Sequence, residues 1–84
     1  MRIWTKSETK YWILSNTEEA RRILEQRSRK GTKVQRNFLI LMSWLNNISV
    51  SEAARAWNLD RSVADCIKTH TFRKIRDYLI KNEQ

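Results

Sequence analysis

Apolar side chains recur along this chain at helical spacing, and short polar clusters separate the runs. The longest stripe is Val34, Phe38, Leu41, Met42 and Leu45, the i, i+4, i+7, i+8, i+11 spacing that puts all of them on one side of a helix. It predicts a helix from about Lys33 to Asn46. Leu39, Ile40 and Trp44 fall on its other faces, so this helix is either central to the fold or offers a second apolar face to a partner. A second stripe runs through Ile67, Thr71, Ile75 and Leu79, with Phe72 and Tyr78 beside it. It predicts one helix from Arg61 to about Lys81, about 30 Å long. Thr69-His70-Thr71 is poor helix material, and a bend there is the competing expectation. Ala20, Ile23 and Leu24 follow Ser15-Asn16-Thr17-Glu18-Glu19, a helix start with two acids in its first turn. That helix fades near Arg27 and Ser28.

The polar breaks are as informative as the stripes. Ser28-Arg29-Lys30-Gly31-Thr32 is the clearest, and it holds the only Gly of the chain. Thr32 is expected to cap the helix that follows, and Asn46-Asn47 to end it. The first fourteen residues admit two readings. Tyr11-Trp12-Ile13-Leu14 has strand propensity and pairs with Ile3-Trp4 in a hairpin. The reading adopted is a short helix capped by Ser7 with Glu8 in its first turn. Trp4-Thr5-Lys6-Ser7-Glu8 followed by Glu18 to Leu24 and Arg27-Ser28 faintly resembles the opening of Myb/SANT-type domains, with a longer spacing after Ser28 than that pattern has.

The segment from Ile48 to Thr69 has its features in a particular order. Ser49 caps a helix while Glu52, three residues on, reaches back to form a capping box. Ala54 lies on the inner face of that helix, spanning roughly Val50 to Trp57, where a small side chain lets the next helix cross closely. Asn58 sits where the chain turns, and Asn tolerates a left-handed backbone next best after Gly. Leu59 anchors the turn, Asp60 caps the second helix, and Ala64 and Ile67 form its inner face. This stretch, about a quarter of the chain, resembles the helix-turn-helix of bacterial and phage transcription regulators. It departs from that pattern in having Asn58 in place of Gly and in carrying its branched apolar residue, Val63, one position early. More weakly, the helix and its basic Phe72-Arg73-Lys74-Ile75-Arg76-Asp77-Tyr78-Leu79 tail resemble the fourth region of bacterial sigma factors.

Composition agrees with helices. Pro is absent and Lys, Arg, Glu, Ala, Leu and Ile are plentiful, which disfavours turn-rich β folds. The expected fold is all-α, a small domain of about five helices containing a helix-turn-helix. Residues 1–31 would be an N-terminal helical or hairpin segment with a basic block, and residues 32–84 a three-helix unit with a basic C-terminal helix. A chain of 84 residues leaves much surface exposed, so dimerisation would stabilise it. No apolar run is long enough for a bilayer and no signal peptide is recognisable. One cysteine fits a reducing compartment. The expected location is therefore the cytoplasm, at the nucleoid of a bacterium or phage-infected host.

The net charge of +8 is unevenly spread. Residues 1–20 balance, residues 21–36 hold seven basic against one acidic, residues 37–60 carry −1, and residues 61–84 hold six basic against three acidic. Two basic blocks flank a near-neutral centre, and a polyanion is their natural partner because each neutralised phosphate releases counterions. The helix-turn-helix resemblance makes double-stranded DNA the expected one. It implies that the second helix enters the major groove with Arg61, Ser62, Asp65, Cys66 and Thr69 facing the bases. Arg61 has the fork to grip guanine, and Asp65 either accepts from cytosine or pairs with Arg61 four residues earlier. Backbone contacts would come from Arg27, Arg29, Lys30, Lys33, Arg36, Arg55, Lys68, Arg73, Lys74 and Arg76.

Other chemistry is thin. One His, one Cys and no HxxxH, CxxC or DxD spacing argue against a metal site, and no Gly-rich loop precedes a helix to cradle a nucleotide. Cys66 and His70 can share a helix face, but a catalytic pair needs a third, orienting group. No cofactor and no enzymatic activity are expected. Trp44 and Trp57 are assigned to the core, and Trp4 and Trp12 to core or surface. The leading expectation is a sequence-specific DNA-binding regulator such as a repressor, acting as a homodimer or cooperative array, with the apolar Val34–Leu45 helix as the dimer contact. The alternatives are a module that contacts RNA polymerase or another regulator, and an RNA-binding protein using the Arg-rich block and stacking on Trp4, Tyr11 or Trp12.

Overall fold

Thr5 and Glu8 decide the start of the first helix. The Glu8 N–H donates to Thr5 Oγ1 at 3.1 Å and the Thr5 N–H donates to Glu8 Oε1 at 3.3 Å, a complete capping box. The helix it opens, α1, runs Lys6–Ser15. The cap is thus Thr5, not Ser7. Thr5 has a Glu three residues on, where Ser7 has Lys10, which cannot accept from a backbone N–H. Tyr11 to Leu14 is helix, not the strand of the hairpin reading; Ile3 of that reading lies outside the described residues. The computed structural model describes residues 4–82, all of its regular elements being helical: α1, then α2 (Thr17–Arg27), α3 (Val34–Leu45), α4 (Val50–Ala56) and α5 (Arg61–Lys81).

Asn16 alone joins α1 to α2. Its N–H and its side-chain amide both donate back into the last turn of α1, the amide to Trp12 O at 3.0 Å. It therefore ends one helix rather than capping the next. Gly31, at φ +92°, turns the chain between α2 and α3. Thr32 does not cap α3. Lys33 occupies the cap position and no side chain bonds there.

Both ends of α4 follow from asparagine. After α3, Asn47 has φ +67°, the Ile48 N–H donates to Ser43 O at 2.9 Å and the Asn47 N–H to Trp44 O at 3.1 Å. After α4, Asn58 has φ +56°, the Leu59 N–H donates to Ala54 O at 2.8 Å and the Asn58 N–H to Arg55 O at 3.2 Å. Both are Schellman stops with Asn in the left-handed position that Gly more often fills. Ser49 accepts from the Glu52 N–H at 3.2 Å, but the Glu52 carboxylate does not reach back, so half of the expected box forms. Asp60 stands at the cap of α5 with extended backbone and no side-chain bond.

The core gathers Trp4, Ile13, Ala20 and Leu24 from the first half with Phe38, Leu41 and Leu45 of α3 and Phe72, Ile75 and Leu79 of α5. It thus draws on both segments, 1–31 and 32–84, and α5 packs on α2, α3 and α4. The rear of α5 explains why Thr69-His70-Thr71 does not break it. Ala64, Thr71, Phe72, Ile75 and Leu79 are all buried, and burial along the whole rod outweighs the fractions of a kcal/mol that Thr and His cost per residue. Ile67, expected on the same inner face, is only half-buried. Trp57 is not core. It caps the end of α4 and is 40% exposed. Trp44 is half-buried and stands edge-on to Phe72, centroids 5.7 Å apart. Among the described residues, no helix is long and apolar enough to cross a membrane.

Candidate nucleic-acid interface

Ser62, Cys66, Thr69 and Arg73 recur at i, i+4, i+7 and i+11 along α5 and so share one side of it. Ser62, Cys66 and Arg73 are exposed and Thr69 is half-exposed, opposite the rear that carries Ala64, Thr71 and Ile75. The short α4 braces that rear, with Ala53 and Ala54 buried and Leu59 half-buried in the turn. The free side is therefore held by a packed one, and the sequence dictates it: small residues at the crossing, Asn at the stop, and a rear of Ala64, Thr71, Phe72, Ile75 and Leu79 buried along the helix.

Arg61 and Asp65 are both exposed, but at about 100° per residue they lie off this row, Arg61 roughly 110° around the helix from it. The ion pair expected between them does not form. Asp65 Oδ1 instead lies 3.1 Å from Lys68 Nζ, three residues on. Arg61 is left with its donors uncommitted among the described residues, while Lys68 is partly neutralised. Val63 is 43% exposed.

Two clefts flank the row. One, about 410 Å³, lies against α3 and is lined by Ser62, Val63, Cys66, Ile67 and His70 with Asn37 across from them. Cys66 and His70 do share a face, as their spacing requires. Lys74 borders the same cleft. The other, about 230 Å³, lies against α1 and includes Lys68, Thr69 and Arg73 together with Lys6, Trp44 and Arg76. Here Trp44 is ringed by ammonium groups: Lys6 Nζ at 5.2 Å, Lys10 Nζ at 4.6 Å and Lys68 Nζ at 4.6 Å from its centroid. Arg76 Nε is buried and makes no hydrogen bond among the described residues, a state that costs a donor about 1–3 kcal/mol.

The basic block of residues 21–36 is elsewhere and is partly spent. Arg21 pairs with Glu25 at 2.6 Å and Glu18 at 3.7 Å, and Arg22 with Glu19 at 2.8 Å. Arg27 lies 5.9 Å from the Tyr78 ring centroid, which is the far end of α5. Tyr78 is 17 residues beyond Arg61, or about 25 Å along the helix axis. Arg29, Lys30 and Lys33 are exposed nearby in the α2–α3 connection, and Arg36 Nε donates to Asn37 Oδ1 at 3.1 Å. Arg55 is exposed on α4. The fold thus brings Ser62, Cys66, Thr69 and Arg73 onto one side of α5, places Lys68 in the cleft beside Thr69 and Arg73, and sets Arg27 at the opposite end of the same rod, with Arg29 and Lys30 following it in the chain.

Lys6, Lys10 and Trp44 were invisible as site residues in the sequence. Lys6 and Lys10 lie in a stretch of balanced charge, and Trp44 reads as core. Only the i, i+4 spacing of the two lysines hints that both could converge on one point. Among the described residues, no group of three or more His, Cys, Asp or Glu side chains could hold a metal ion. No family model, no curated protein and no solved structure matches the chain.

Proposed function

We propose that this chain binds duplex DNA sequence-specifically and regulates transcription from the cytoplasm, with the first half of α5 in the major groove. The observation that carries the reading is the uncovered polar row on α5, held rigidly from behind by α4 across an Asn58 Schellman turn. In that pose Arg61, free of Asp65, can chelate guanine O6 and N7, Ser62 and Thr69 can reach bases or phosphates, and Val63 can pack on a thymine methyl. Asp65, turned toward Lys68, no longer offsets Arg61. Arg73 and Lys74 follow the backbone, and Arg29, Lys30 and Lys33 supply a sequence-independent contact at the other end. One such unit reads few base pairs, so a homodimer or cooperative array on repeated half-sites belongs to the reading.

The dimer contact is narrower than α3 as a whole. Phe38, Ile40, Leu41 and Leu45 are buried within the chain, and Leu39 at 40% exposure is what α3 leaves outside. A second reading, contact with RNA polymerase or another regulator, is favoured by one feature. Val63 and Ile67 give the cleft between α3 and α5 an apolar lining.

Selection from a random duplex library is the direct test, and a recovered motif is the expected outcome. Arg61→Ala should then lower preference for that motif by ~1–3 kcal/mol in gel-shift titrations. Recovery of no motif, or unchanged preference in Arg61→Ala, removes the recognition helix.

A further inference from the structure

The cleft between α1 and the middle of α5 concentrates more positive charge than negative. Lys6, Lys68, Arg73 and Arg76 line it, Trp44 and Phe72 form its apolar wall, and no carboxylate contributes to the lining. Asp65 pairs with Lys68 from outside. Lys10 adds a further ammonium at the same indole. Three ammonium groups, each within 5.2 Å of one centroid, stand no farther apart than the Debye length at 0.1 M salt, roughly 10 Å. Each therefore repels the others through little screening. The π face of Trp44 offsets part of that repulsion. An anion would offset the remainder.

Arg76 is an independent sign. Its Nε is buried with no hydrogen-bond partner among the described residues, although buried donors are nearly always satisfied. The same side chain lines the cleft. An oxygen placed in the cleft would meet the Arg76 side chain and the ammonium groups together.

We propose that this cleft binds a phosphate group, with Lys6 and Lys68 as point charges and the Arg76 guanidinium as a directional donor. Phosphate suits it better than carboxylate, having more acceptor oxygens for a site with four cations. The volume, about 230 Å³, is below that of ordinary small-molecule pockets, which start near roughly 300 Å³. The phosphate therefore enters while the rest of its ligand stays outside. Two sources present that chemistry: a nucleic-acid backbone and a free phosphorylated metabolite. The inference goes beyond the duplex reading, since either source would fill the site.

The test is an ¹H–¹⁵N NMR titration of the full chain with inorganic phosphate at constant ionic strength, chloride making up the balance. The Trp44 indole N–H and Arg76 Nε–H resonances should shift and saturate, while Arg29 and Lys30 stay put. Lys6→Gln with Lys68→Gln should weaken binding at least tenfold, and Arg29→Gln with Lys30→Gln should not. Arg76→Lys keeps the charge but loses the buried N–H, and should weaken binding severalfold. Thermal melts confirm that each variant is folded. Shifts that grow linearly with phosphate, or that spread evenly over all basic residues, overturn the site. Titrations with random-sequence duplex and with adenosine monophosphate separate the sources. Saturation of Trp44 and Arg76 by duplex supports the site and assigns the backbone. Saturation by inorganic phosphate and the nucleotide without duplex binding supports the site and removes the duplex reading alone. Duplex binding with Trp44 and Arg76 unmoved, and no phosphate saturation, overturns the site alone.

Discussion

The two basic regions of this chain rank one way by charge and the other way by geometry. Residues 21–36 hold most of the excess, yet Arg21 and Arg22 are tied to Glu18, Glu19 and Glu25 of their own helix. The rest is strung from the end of α2 through the α2–α3 connection to the start of α3. Residues 61–84 carry less, but α5 aligns Lys68, Arg73 and Arg76 beside one cleft and Lys6 joins them from α1. Charge in a segment sets a long-range attraction; charge converged on a point sets where an anion stops. On the proposed function, the first region would act as a sequence-independent tether and the second as a positioning site.

The largest blow to this contrast would come from behind α5. Ile75→Ala empties a fully buried position at the centre of the core and should cost about 2–5 kcal/mol, read as a lowered urea midpoint. The row and the cleft should lose order together, while the exposed 29–33 connection should not notice. The tether is tested by Lys30→Ala with Lys33→Ala. It should weaken duplexes of every sequence by about 10- to 30-fold at 0.15 M salt and lower the salt slope by about two. A loss confined to one sequence would erase the distinction between the regions. At Asn58, a left-handed backbone penalises a β-carbon that lacks a local hydrogen-bonding group. Asn58→Ala should cost ~1 kcal/mol and Asn58→Gly none, by denaturant unfolding, with the presentation of Arg61 changed only in the former. The smallest effect belongs to Arg21→Gln, where exposed pairs on one helix are worth ~0.5 kcal/mol or less. Its stability loss should vanish in 1 M salt. A larger loss would mean that the pairing of the first region is structural.

The helices were legible wherever periodicity ran long. The stripe through Phe38, Leu41 and Leu45 and the one through Ile75 and Leu79 both mark buried faces, and Asn58 was readable as a stop because few residues accept φ +56°. Capping was less so. Ser7 lost to Thr5, which has Glu8 three residues on; Thr32 gave way to Lys33 at the cap of α3; and Asp60 holds the cap position of α5 with extended backbone but without the side-chain bond. Trp57 failed as well. A large aromatic at the last turn of a seven-residue helix can point either way, and its neighbours in three dimensions decide. The outward row of α5 followed directly from spacing. The lysine-ringed Trp44 did not, because Lys6, Trp44 and Lys68 are far apart in the chain and only tertiary closure unites them.

Because α5 is the wall on which α2, α3 and α4 all rest, the order of synthesis matters. While a ribosome is still extending the chain, Leu24, Leu41 and Leu45 lack the Phe72, Ile75 and Leu79 side of their core, and the early helices should remain a loose, sticky collapse. Folding should therefore wait for the residues around Ile75 to emerge, and a polypeptide stopped short of them should be a substrate for chaperones and proteases rather than a smaller working version.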